Sequence, residues 1–433
     1  MTLDKRPPLS KELWFSTPEE TASDDIATRD IKYKDWQGKS QSLYYNPTEA
    51  TYRVISEKDL STSSSPPGVH LLPGTQVTDL DVDAQIITLD SSQQIHFSNL
   101  LLATGGTPRS LPWVDEADDK AKSRIMTFRS LYDFKRLNEI TASSGESKGK
   151  RVVVIGGGFL GSEISCALAR RVKDGLQVTQ LFPEDGNMAL VFPRYLTKWT
   201  TTRLQNEGVN SVPGTYVDSV KSIKEGDEDA VELKLKNGDI VVADYVCLAV
   251  GLKPNVALAE KAGLEIDLKL GGIVVNAELR ARSNVFAAGD NTSFHDIALG
   301  RRHIEHYDHA YMSGRAAGLN MATGQKKPYL YQSMFWSDLG PEIAYEAVGV
   351  LDSSLSTVGI WSKSNKNSST PVVGNESYDK GVVFYMKDKK VVGVLMWNVL
   401  NRVDEARRVI RENKTWTDLN ELSSVFSLDE NKL

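Results

Sequence analysis

Three glycines in one short stretch have the spacing of a nucleotide-binding loop. They are Gly156, Gly158 and Gly161, in a G-x-G-x-x-G pattern. The mostly β-branched run 151–155 before them predicts a buried strand, and the apolar-faced residues 164–172 predict a helix after the turn. The first glycine permits the sharp turn, the second lets the backbone approach a phosphate, and the third lets helix and strand pack closely. The N–H groups at the helix N-terminus would bind a pyrophosphate.

An acidic residue follows the second strand of this unit. Residues 177–182 predict that strand, and Glu184 comes 28 residues after Gly156 (184 − 156). A carboxylate there can accept hydrogen bonds from the 2′-hydroxyl of an adenosine ribose and would repel a 2′-phosphate. We therefore expect a preference for NAD over NADP. The alternative is a glycine loop that only packs an α/β domain.

Two other residue types could do chemistry. Asp290 ends the predicted strand 284–290, where a carboxylate either binds a polyol or caps a helix. Four of the six histidines surround the start of a helix predicted over 305–321. They are His295, His303, His306 and His309. No cysteine or second acidic group completes a metal site there, so we predict none.

The composition limits the class of protein. The chain has 433 residues, 40% of them hydrophobic and 25% charged, which is typical of a globular protein with several domains. The net charge of −6 argues against DNA binding. Residues 1–8 are not typical of a targeting segment. Cys166 and Cys247 have no C-x-x-C spacing and are expected to be buried thiols.

The remaining elements predict an α/β fold. The expected strands are 77–82, 85–89, 217–220, 230–236, 240–250, 382–385 and 391–397, and residues 95–103 are expected to contain another. The expected helices are 11–15, 130–140, 402–411 and 418–426. Because Pro7 and Pro8 disfavour a helix before Leu9, Ser10 is expected to cap the first of these helices. Loops are expected over 61–68, 142–149 and 362–380.

Two strand ends resemble each other and indicate an internal duplication. They are N-L-L-L-A-T-G-G-T-P over 99–108 and D-Y-V-C-L-A-V-G-L-K-P over 244–254. Each ends in a chain-reversing glycine and proline. The second copy has the glycine-loop unit before its strands, whereas residues 1–76 contain no such sequence. We therefore expect the first copy to lack its N-terminal third.

Several longer runs resemble the apoptosis-inducing factor family. The runs are R-P-P-L-S-K-E-L-W-F-S (6–16), A-T-G-G-T-P-R (103–109), G-G-G-F-L-G-S-E (156–163), Q-L-F-P-E-D-G-N-M (180–188), N-A-E-L-R-A-R-S-N (276–284) and Q-S-M-F-W-S-D-L-G-P (332–341). The resemblance implies a mitochondrial flavoprotein that passes hydride from NADH to FAD. It implies a glutathione-reductase-like fold with two dinucleotide domains, the first Rossmann unit truncated, and an α+β C-terminal domain.

The resemblance also implies a division into four segments. Residues 1–150 would be the first part of an FAD domain, incomplete at its N-terminus. Residues 151–280 would be the NADH-binding Rossmann domain. Residues 281–330 would complete the FAD domain, and residues 331–433 would form the C-terminal domain.

Site residues follow from the same resemblance. The implied FAD contacts are Arg6, Lys11, Val77, Arg129, Asp290, His306 and Trp336. The implied NADH contacts are Gly157, Phe159, Leu160, Glu163, Glu184, Gly251, Glu305, Glu346 and Asn398, to which the glycine spacing adds Gly156, Gly158 and Gly161. The implied catalytic residues are Lys11, Glu163 and His306. Lys11 would pair with Glu163 beside the flavin, where a cation favours the reduced ring; an ion pair between domains is the alternative role.

The resemblance further implies partners and a location. It implies NADH as the reductant, an unknown electron acceptor, a protein partner in mitochondria and a dimer that depends on NADH. It implies the intermembrane space and a role in respiratory assembly and cell death, although the chain shows no targeting segment. Without a first glycine turn for its pyrophosphate, we expect FAD to bind weakly and the chain to be nearly colourless. A flavin-free NAD-sensing or protein-binding scaffold is the alternative function.

Overall fold

The structure is a computed structural model. It describes residues 5–15, 31–35, 38–44, 52–60, 68–141, 149–171, 175–340, 343–362, 378–426 and 428. Except at their ends, the loops predicted over 61–68, 142–149 and 362–380 lie outside the described residues.

Short strands and helices follow one another along the described chain. The strands before the glycine loop are β1 Lys32–Lys34, β2 Ser40–Ser42, β3 Tyr52–Val54, β4 Val69–Leu71, β5 Val77–Asp81, β6 Ile86–Leu89, β7 Gln94–His96, β8 Leu100–Leu102, β9 Gly106–Pro108 and β10 Ile125–Thr127. The next strands are β11 Arg151–Ile155, β12 Gln177–Leu181, β13 Asn210–Val212, β14 Val217–Glu225, β15 Glu228–Leu235, β16 Ile240–Ala243, β17 Tyr245–Leu248, β18 Leu252–Pro254, β19 Ile273–Val274, β20 Arg280–Arg282, β21 Val285–Ala287, β22 Thr292–Asp296 and β23 Gly300–His303. The last are β24 Met334–Asp338, β25 Ala344–Gly349, β26 Ser356–Trp361, β27 Gly381–Lys387 and β28 Lys390–Trp397. The helices are α1 Glu57–Leu60, α2 Pro112–Asp115, α3 Asp119–Ser123, α4 Leu131–Ile140, α5 Phe159–Ala169, α6 Arg194–Asn206, α7 Ala257–Lys261, α8 Tyr307–Thr323, α9 Val403–Glu412 and α10 Asn420–Val425, with 3₁₀ turns at Pro7–Ser10 and Glu12–Phe15.

The chain divides into two compact units. Unit 1 comprises Met1–Thr107 and Lys253–Leu330, and unit 2 comprises Pro108–Leu252 and Tyr331–Leu433. This division differs from the four predicted segments. Residues 253–280 group with 281–330, and residues 331–433 group with the segment that carries the glycine loop.

The glycine loop belongs to a parallel sheet in unit 2. Its strand order is β10-β17-β11-β12-β13, and all neighbours are parallel. Parallel strands need crossover connections, and here α5 joins β11 to β12 while α6 lies between β12 and β13. The carboxyl ends of β11, β12 and β17 therefore meet at one edge, which is where open α/β sheets bind ligands.

An antiparallel meander, β14-β15-β16, packs on this parallel sheet. Val231 and Leu233 of the meander share one buried cluster with Val153 and Leu248 of the sheet. Trp113 of α2 belongs to the same cluster. Burial of these side chains removes apolar surface from water and holds the edge of the sheet in place.

The C-terminal part of unit 2 is an antiparallel sheet with the order β24-β25-β28-β27-β26. All residues of β27 except Lys387 are buried, so both faces of that strand are covered. Helix α9 lies against β25 and β28 and buries Ala406, Val409 and Ile410. This arrangement of helices and antiparallel strands agrees with the α+β prediction for residues 331–433.

Unit 1 contains a small sheet with the order β20-β21-β8. Strand β8 runs parallel to β21, with Leu100 opposite Val285. Helix α8 packs against β21. Among the strands that the structure describes, none pairs with the other side of β8.

The two meanders support the predicted duplication. Strands β5-β6-β7 in unit 1 and β14-β15-β16 in unit 2 are both antiparallel and consecutive. Both carry a register shift at the same place in their first strand, between Val77 and Asp79 and between Val217 and Ser219. A bulge at equal positions in two copies indicates a shared origin, because bulges are specific features of a strand.

Three element predictions need correction. Pro7 and Pro8 do not prevent a helix before Leu9, because prolines at the first positions of a 3₁₀ turn need no N–H donor. The helix predicted over 164–172 begins earlier, at Phe159, directly after the glycine turn. The strand predicted over 240–250 is divided into β16 and β17 at Asp244. Across the described ranges, no helix is long and apolar enough to cross a bilayer.

Asp244 ties the start of β11 to the corner between β16 and β17. Its carboxylate accepts the backbone N–H of Arg151 at 2.7 Å and the guanidinium of the same residue at 2.8 Å. Burial opposes ionisation, yet the hydrogen bonds from Arg151 hold the pKa of Asp244 below its usual value. A lowered folded-state pKa contributes stability above the unfolded pKa of about 4, and this contribution is lost as pH falls through the folded pKa.

We expect Asp244→Asn to lower the free energy of unfolding by about 2 kcal/mol at pH 7, because the charge-assisted bonds are lost. The difference from wild type should shrink in acid, below pH 4. Urea denaturation at pH 7 and at pH 3 measures both effects. Asp229→Asn, at an exposed pair with Lys224, is the matched control and should change little. Equal midpoints for wild type and Asp244→Asn would contradict this role.

Candidate functional site

The glycine turn is held against the neighbouring strand end by its backbone. Gly156 has φ +124°, and a Cβ there would lie 2.3 Å from the carbonyl oxygen of Ala249. A Cβ on Gly161 would lie 2.2 Å from the carbonyl oxygen of Gly156. Neither position has room for a side chain, so these two glycines have the steric roles predicted from their spacing.

Gly158 differs from the other two glycines because it faces open space. It is exposed, and no heavy atom lies within 4 Å of a Cβ built on it. It is also the N-cap of α5, so the N–H groups of the first helical turn lie next to it. An open backbone at the positive end of a helix fits a pyrophosphate.

A buried polar network, which no sequence pattern predicted, lies beneath the turn. Gln180 donates to the Gly156 carbonyl at 2.9 Å, and Asn187 donates to Gln180 and to the Ser162 hydroxyl at 2.9 and 2.8 Å. All three side chains are fully buried. The available sequence indication was a glutamine on the same face of the predicted strand 177–182 as Val178 and Phe182, because a polar residue on an apolar face needs a partner.

Glu184 lies on a loop that is attached to the glycine turn. It follows β12 by three residues, and its carbonyl accepts the Gly214 N–H at 2.8 Å. Farther along this loop, Met188 donates its N–H to the Gly157 carbonyl at 2.8 Å. The loop after Glu184 therefore returns to the glycine turn, and Glu184 itself is half-buried.

Glu163 is buried on α5 and contacts the C-terminal sheet within unit 2. It is 5% exposed, and the Ser337 hydroxyl donates to its carboxylate at 2.5 Å. Phe159, also on α5, packs edge-on against Phe335 with ring centroids 4.9 Å apart. Tyr345 and Trp397 stack on the adjacent strands with ring centroids 5.4 Å apart. The C-terminal sheet therefore fixes the helix that follows the glycine turn.

Three more predicted NADH contacts belong to unit 2. Gly251 has φ +97°, and its carbonyl accepts the Arg109 N–H at 2.9 Å. Glu346 lies opposite Trp336 across β24 and β25, and burial raises the pKa of Glu346. Asn398 has φ +52°, and its side chain accepts the N–H of Ala344 and donates to the carbonyl of Asp379. The Asn398 amide therefore orders the sheet, whatever else it contacts.

Unit 1 brings two of the predicted catalytic residues together. Lys11 is 8% exposed, and His306 is the N-cap of α8. Desolvation, together with the charges of Arg302 and Lys11, lowers the pKa of His306 to about 4. The His306 imidazole is therefore neutral at neutral pH, and the side chain of Lys11 lies near it. A cation at this place would stabilise negative charge on a reduced flavin.

The other predicted flavin contacts are distributed over both units. In unit 1, Asp290 is half-buried just beyond β21, Val77 begins β5, and Arg6 is exposed at the N-cap of the first 3₁₀ turn. Arg129 belongs to unit 2, where its backbone N–H donates to Asp133 at 3.0 Å. The pairing of Lys11 with Glu163 joins residues of different units and stays a prediction.

The histidines around α8 have structural partners. The ring of His303 lies 2.9 Å from the Thr292 carbonyl and 3.1 Å from the carboxylate of Glu305. His309 is fully buried, stacks on Phe294 and contacts the Tyr329 hydroxyl at 3.2 Å. In the described part of the chain, no group of three or more potential ligands could hold a metal ion.

The residues present fit both nucleotide cofactors in chemistry. Unit 2 has an open glycine turn at a helix N-terminus and a nearby acidic loop, as NAD requires. In unit 1, the carboxylate of Asp290 follows the parallel strand β21, and the buried Lys11 lies near the neutral His306. These groups suit a flavin and its ribityl chain.

Profiles of two protein families match the sequence. The pyridine nucleotide-disulphide oxidoreductase family matches residues 4–314. The C-terminal domain of mitochondrion-associated apoptosis-inducing factor matches residues 317–377 and 365–412. Together these matches cover most of the chain and confirm the predicted family.

Individual relatives agree with these matches. A Drosophila melanogaster protein named as a mitochondrial apoptosis-inducing factor 1 is 39% identical over 98% of this chain and 60% of its own length. The mitochondrial apoptosis-inducing factor 1 of Dictyostelium discoideum is 36% identical over 98% of this chain and 74% of its own length. A chloroplastic and mitochondrial monodehydroascorbate reductase of Arabidopsis thaliana is 28% identical over 62% of this chain and 52% of its own length. The chain therefore spans about three fifths to three quarters of the first two relatives.

Solved structures confirm the predicted fold class. A ferredoxin reductase from Rhodopseudomonas palustris superposes with a TM-score of 0.71 and 24% identity, covering 97% of this chain and 89% of its own. The covalent putidaredoxin reductase–putidaredoxin complex gives a TM-score of 0.73 and 24% identity, covering 100% of this chain and 88% of the matched chain.

Two glycine substitutions should separate binding from folding. We expect Gly158→Ala to fold normally and to weaken NADH binding about tenfold or more, because its methyl group enters the open space above the turn. Gly161→Ala should lower the melting temperature strongly, because its methyl group meets the Gly156 carbonyl. Fluorescence titration with NADH and thermal melts measure the two effects. Unchanged NADH affinity in Gly158→Ala would contradict the assignment of the turn.

Proposed function

The chain belongs to the pyridine nucleotide-disulphide oxidoreductase family, and on this basis we propose that it is an FAD-dependent NADH oxidoreductase of the apoptosis-inducing-factor type. The observation that carries this proposal is the open glycine turn at the N-terminus of α5, with an acidic loop attached to it. Only a ligand with a pyrophosphate and a ribose makes use of both features.

The residues of unit 2 bind and orient NADH. Gly157 and Gly158 offer backbone N–H groups to the pyrophosphate, and Glu184 accepts hydrogen bonds from the adenosine ribose. The remaining NADH contacts are Phe159, Leu160, Glu163, Gly251, Glu305, Glu346 and Asn398, of which Glu305 belongs to unit 1. Each of them positions the nicotinamide or excludes water from it.

A bound FAD would supply the redox chemistry, which is acceptance of hydride from NADH and transfer of electrons to an acceptor. The residues that would hold it are Arg6, Lys11, Val77, Arg129, Asp290, His306 and Trp336. Lys11 supplies positive charge, and His306 stays neutral at physiological pH because its pKa is lowered to about 4.

The apoptosis-inducing-factor relatives of Drosophila melanogaster and Dictyostelium discoideum support a wider biological proposal. Residues 1–150 and 281–330 form the FAD domain, residues 151–280 the NADH domain and residues 331–433 the C-terminal domain. We place the protein in mitochondria, in the intermembrane space, with roles in respiratory assembly and cell death. It dimerises when NADH binds and contacts a mitochondrial protein partner.

One observation favours a second candidate, a flavin-free NAD-binding scaffold. In the described ranges of unit 1, no strand leads through a glycine turn into a helix as β11 leads into α5. The pyrophosphate of FAD therefore has no cradle among those residues, whereas that of NADH has one.

Reduction of an acceptor by NADH distinguishes the two candidates. We expect the full chain, titrated with FAD, to bind it and to reduce ferricyanide with NADH, and the rate should rise with FAD occupancy. FAD content after denaturation and the absorbance of ferricyanide provide the measurements. NADH binding without any FAD-dependent reduction would reject the oxidoreductase and support the scaffold.

Glu184 should determine the choice between NADH and NADPH. We expect Glu184→Ser to improve binding of NADPH relative to NADH by about tenfold, because the repulsion of the 2′-phosphate and the ribose hydrogen bond are both lost. Parallel titrations with the two nucleotides measure the ratio. Asp185→Ser removes the neighbouring acid, which pairs with Arg194 at 3.2 Å, and is the control. A wild type that binds both nucleotides equally would remove the basis for this role.

A further inference from the structure

Two buried amide side chains, those of Gln180 and Asn187, lie directly beneath the glycine turn. Both side chains are 0% exposed. Gln180 Nε2 donates to the Gly156 carbonyl at 2.9 Å, and Asn187 Nδ2 donates to Gln180 Oε1 at 2.9 Å. The same Nδ2 donates to Ser162 Oγ at 2.8 Å. This series of hydrogen bonds ends on the carbonyl of the first glycine.

The next carbonyl along the turn, that of Gly157, is held by the loop that contains Asn187. Met188 donates its N–H to it at 2.8 Å, and the Ser162 hydroxyl lies at 3.4 Å. Met188 reaches it with φ +58°, a conformation that costs free energy in a residue with a side chain. The backbone N–H of Asn187 donates to Thr201 Oγ1 at 2.8 Å, and this bond holds the loop of Asn187 against α6.

Fixing two carbonyls also fixes two N–H groups. In a trans peptide, the carbonyl of one residue and the N–H of the next point in opposite directions. Because the Gly156 carbonyl is directed toward the Gln180 amide and the Gly157 carbonyl toward the Met188 N–H, the N–H groups of Gly157 and Gly158 point the opposite way. Gly158 is exposed with open space around it, so this side is the one that a ligand reaches.

We propose that Gln180 and Asn187 are positioning residues that aim these two N–H groups at the pyrophosphate of NADH. The inference rests on the proposed function and deepens it. Asn187 Oδ1 is buried without a hydrogen-bond partner among the described atoms, and an orphaned buried acceptor costs free energy. Because Asn187 carries this cost, its role is to orient the glycine turn rather than to stabilise the fold.

The two residues differ in what else they hold. Gln180 contacts the turn and Asn187. Asn187 also lies in the loop that runs from Glu184 back to the glycine turn, where Met188 donates to the Gly157 carbonyl. Loss of Gln180 should therefore disturb the pyrophosphate contacts alone. Loss of Asn187 should disturb the pyrophosphate contacts and the ribose contacts together.

ADP and AMP are the probes, because ADP has a pyrophosphate and AMP does not. In the full chain, Gln180→Met keeps the length of the side chain and removes its donor. We expect it to weaken ADP binding about tenfold and AMP binding less than about twofold. Asn187→Ala should weaken both, because the loop of Glu184 loosens. Isothermal titration measures all four affinities.

Asn320 provides a matched control for a buried asparagine. It is 2% exposed, and its Nδ2 donates to the carbonyls of Glu278 and Lys327 at 3.2 and 2.9 Å in unit 1. Asn320→Ala should lower the melting temperature and leave the ratio of ADP to AMP affinity unchanged. If Asn187→Ala fails to fold, Gln180→Met decides the question.

The possible outcomes separate this inference from the proposed function. An unchanged ADP-to-AMP ratio in Gln180→Met overturns the inference, even if the wild type oxidises NADH. A wild type that binds ADP but shows no FAD-dependent reduction overturns the proposed function, while a lowered ratio in Gln180→Met still supports the inference. In an active enzyme, the same variant should raise KM for NADH with little change in kcat.

Discussion

The close approach of Gly156 to Ala249 is the contact on which the ligand-binding edge of unit 2 depends. A side chain at Gly156 would overlap the Ala249 carbonyl, so the turn after β11 closes against the end of β17 only with glycine. Gly161 then allows α5 to pack on the same turn. The sheet, the turn and the helix are therefore one rigid element, and its open face at Gly158 is what remains for a ligand.

A polar core beneath this turn is the second feature that gives the site its geometry. Hydrogen bonds link the side chains of Gln180, Asn187 and Ser162 to one another and to the carbonyls of the turn. In most α/β domains the core at such a place is apolar. Buried networks of this kind specify orientation because each member has few ways to satisfy its hydrogen bonds. The loop that follows Glu184 is bound to the same turn, because Met188 donates its N–H to the Gly157 carbonyl.

The C-terminal sheet has a direct connection to the site within unit 2. Ser337 donates to the buried carboxylate of Glu163, and Phe335 packs against Phe159. Glu163 and Phe159 both lie on the first two turns of α5. A carboxylate taken out of water needs such a partner. Substitutions in this sheet are therefore expected to reach the nucleotide through the orientation of α5. The sheet and the parallel strands belong to one compact unit although more than seventy residues separate them in sequence.

The sequence alone determined the elements whose pattern is local. The glycine spacing, the β-branched run 151–155 and the repeated strand ends predicted the turn, its strand and the two meanders, because φ angles and period-two burial depend on neighbouring residues. Only the tertiary structure decided which distant groups meet. It joined Gln180 to Asn187, Ser337 to Glu163 and Lys11 to His306, and it divided a predicted strand at Asp244. These contacts could not be predicted because a hydrogen bond or a pKa shift depends on burial and on partners that no local pattern records.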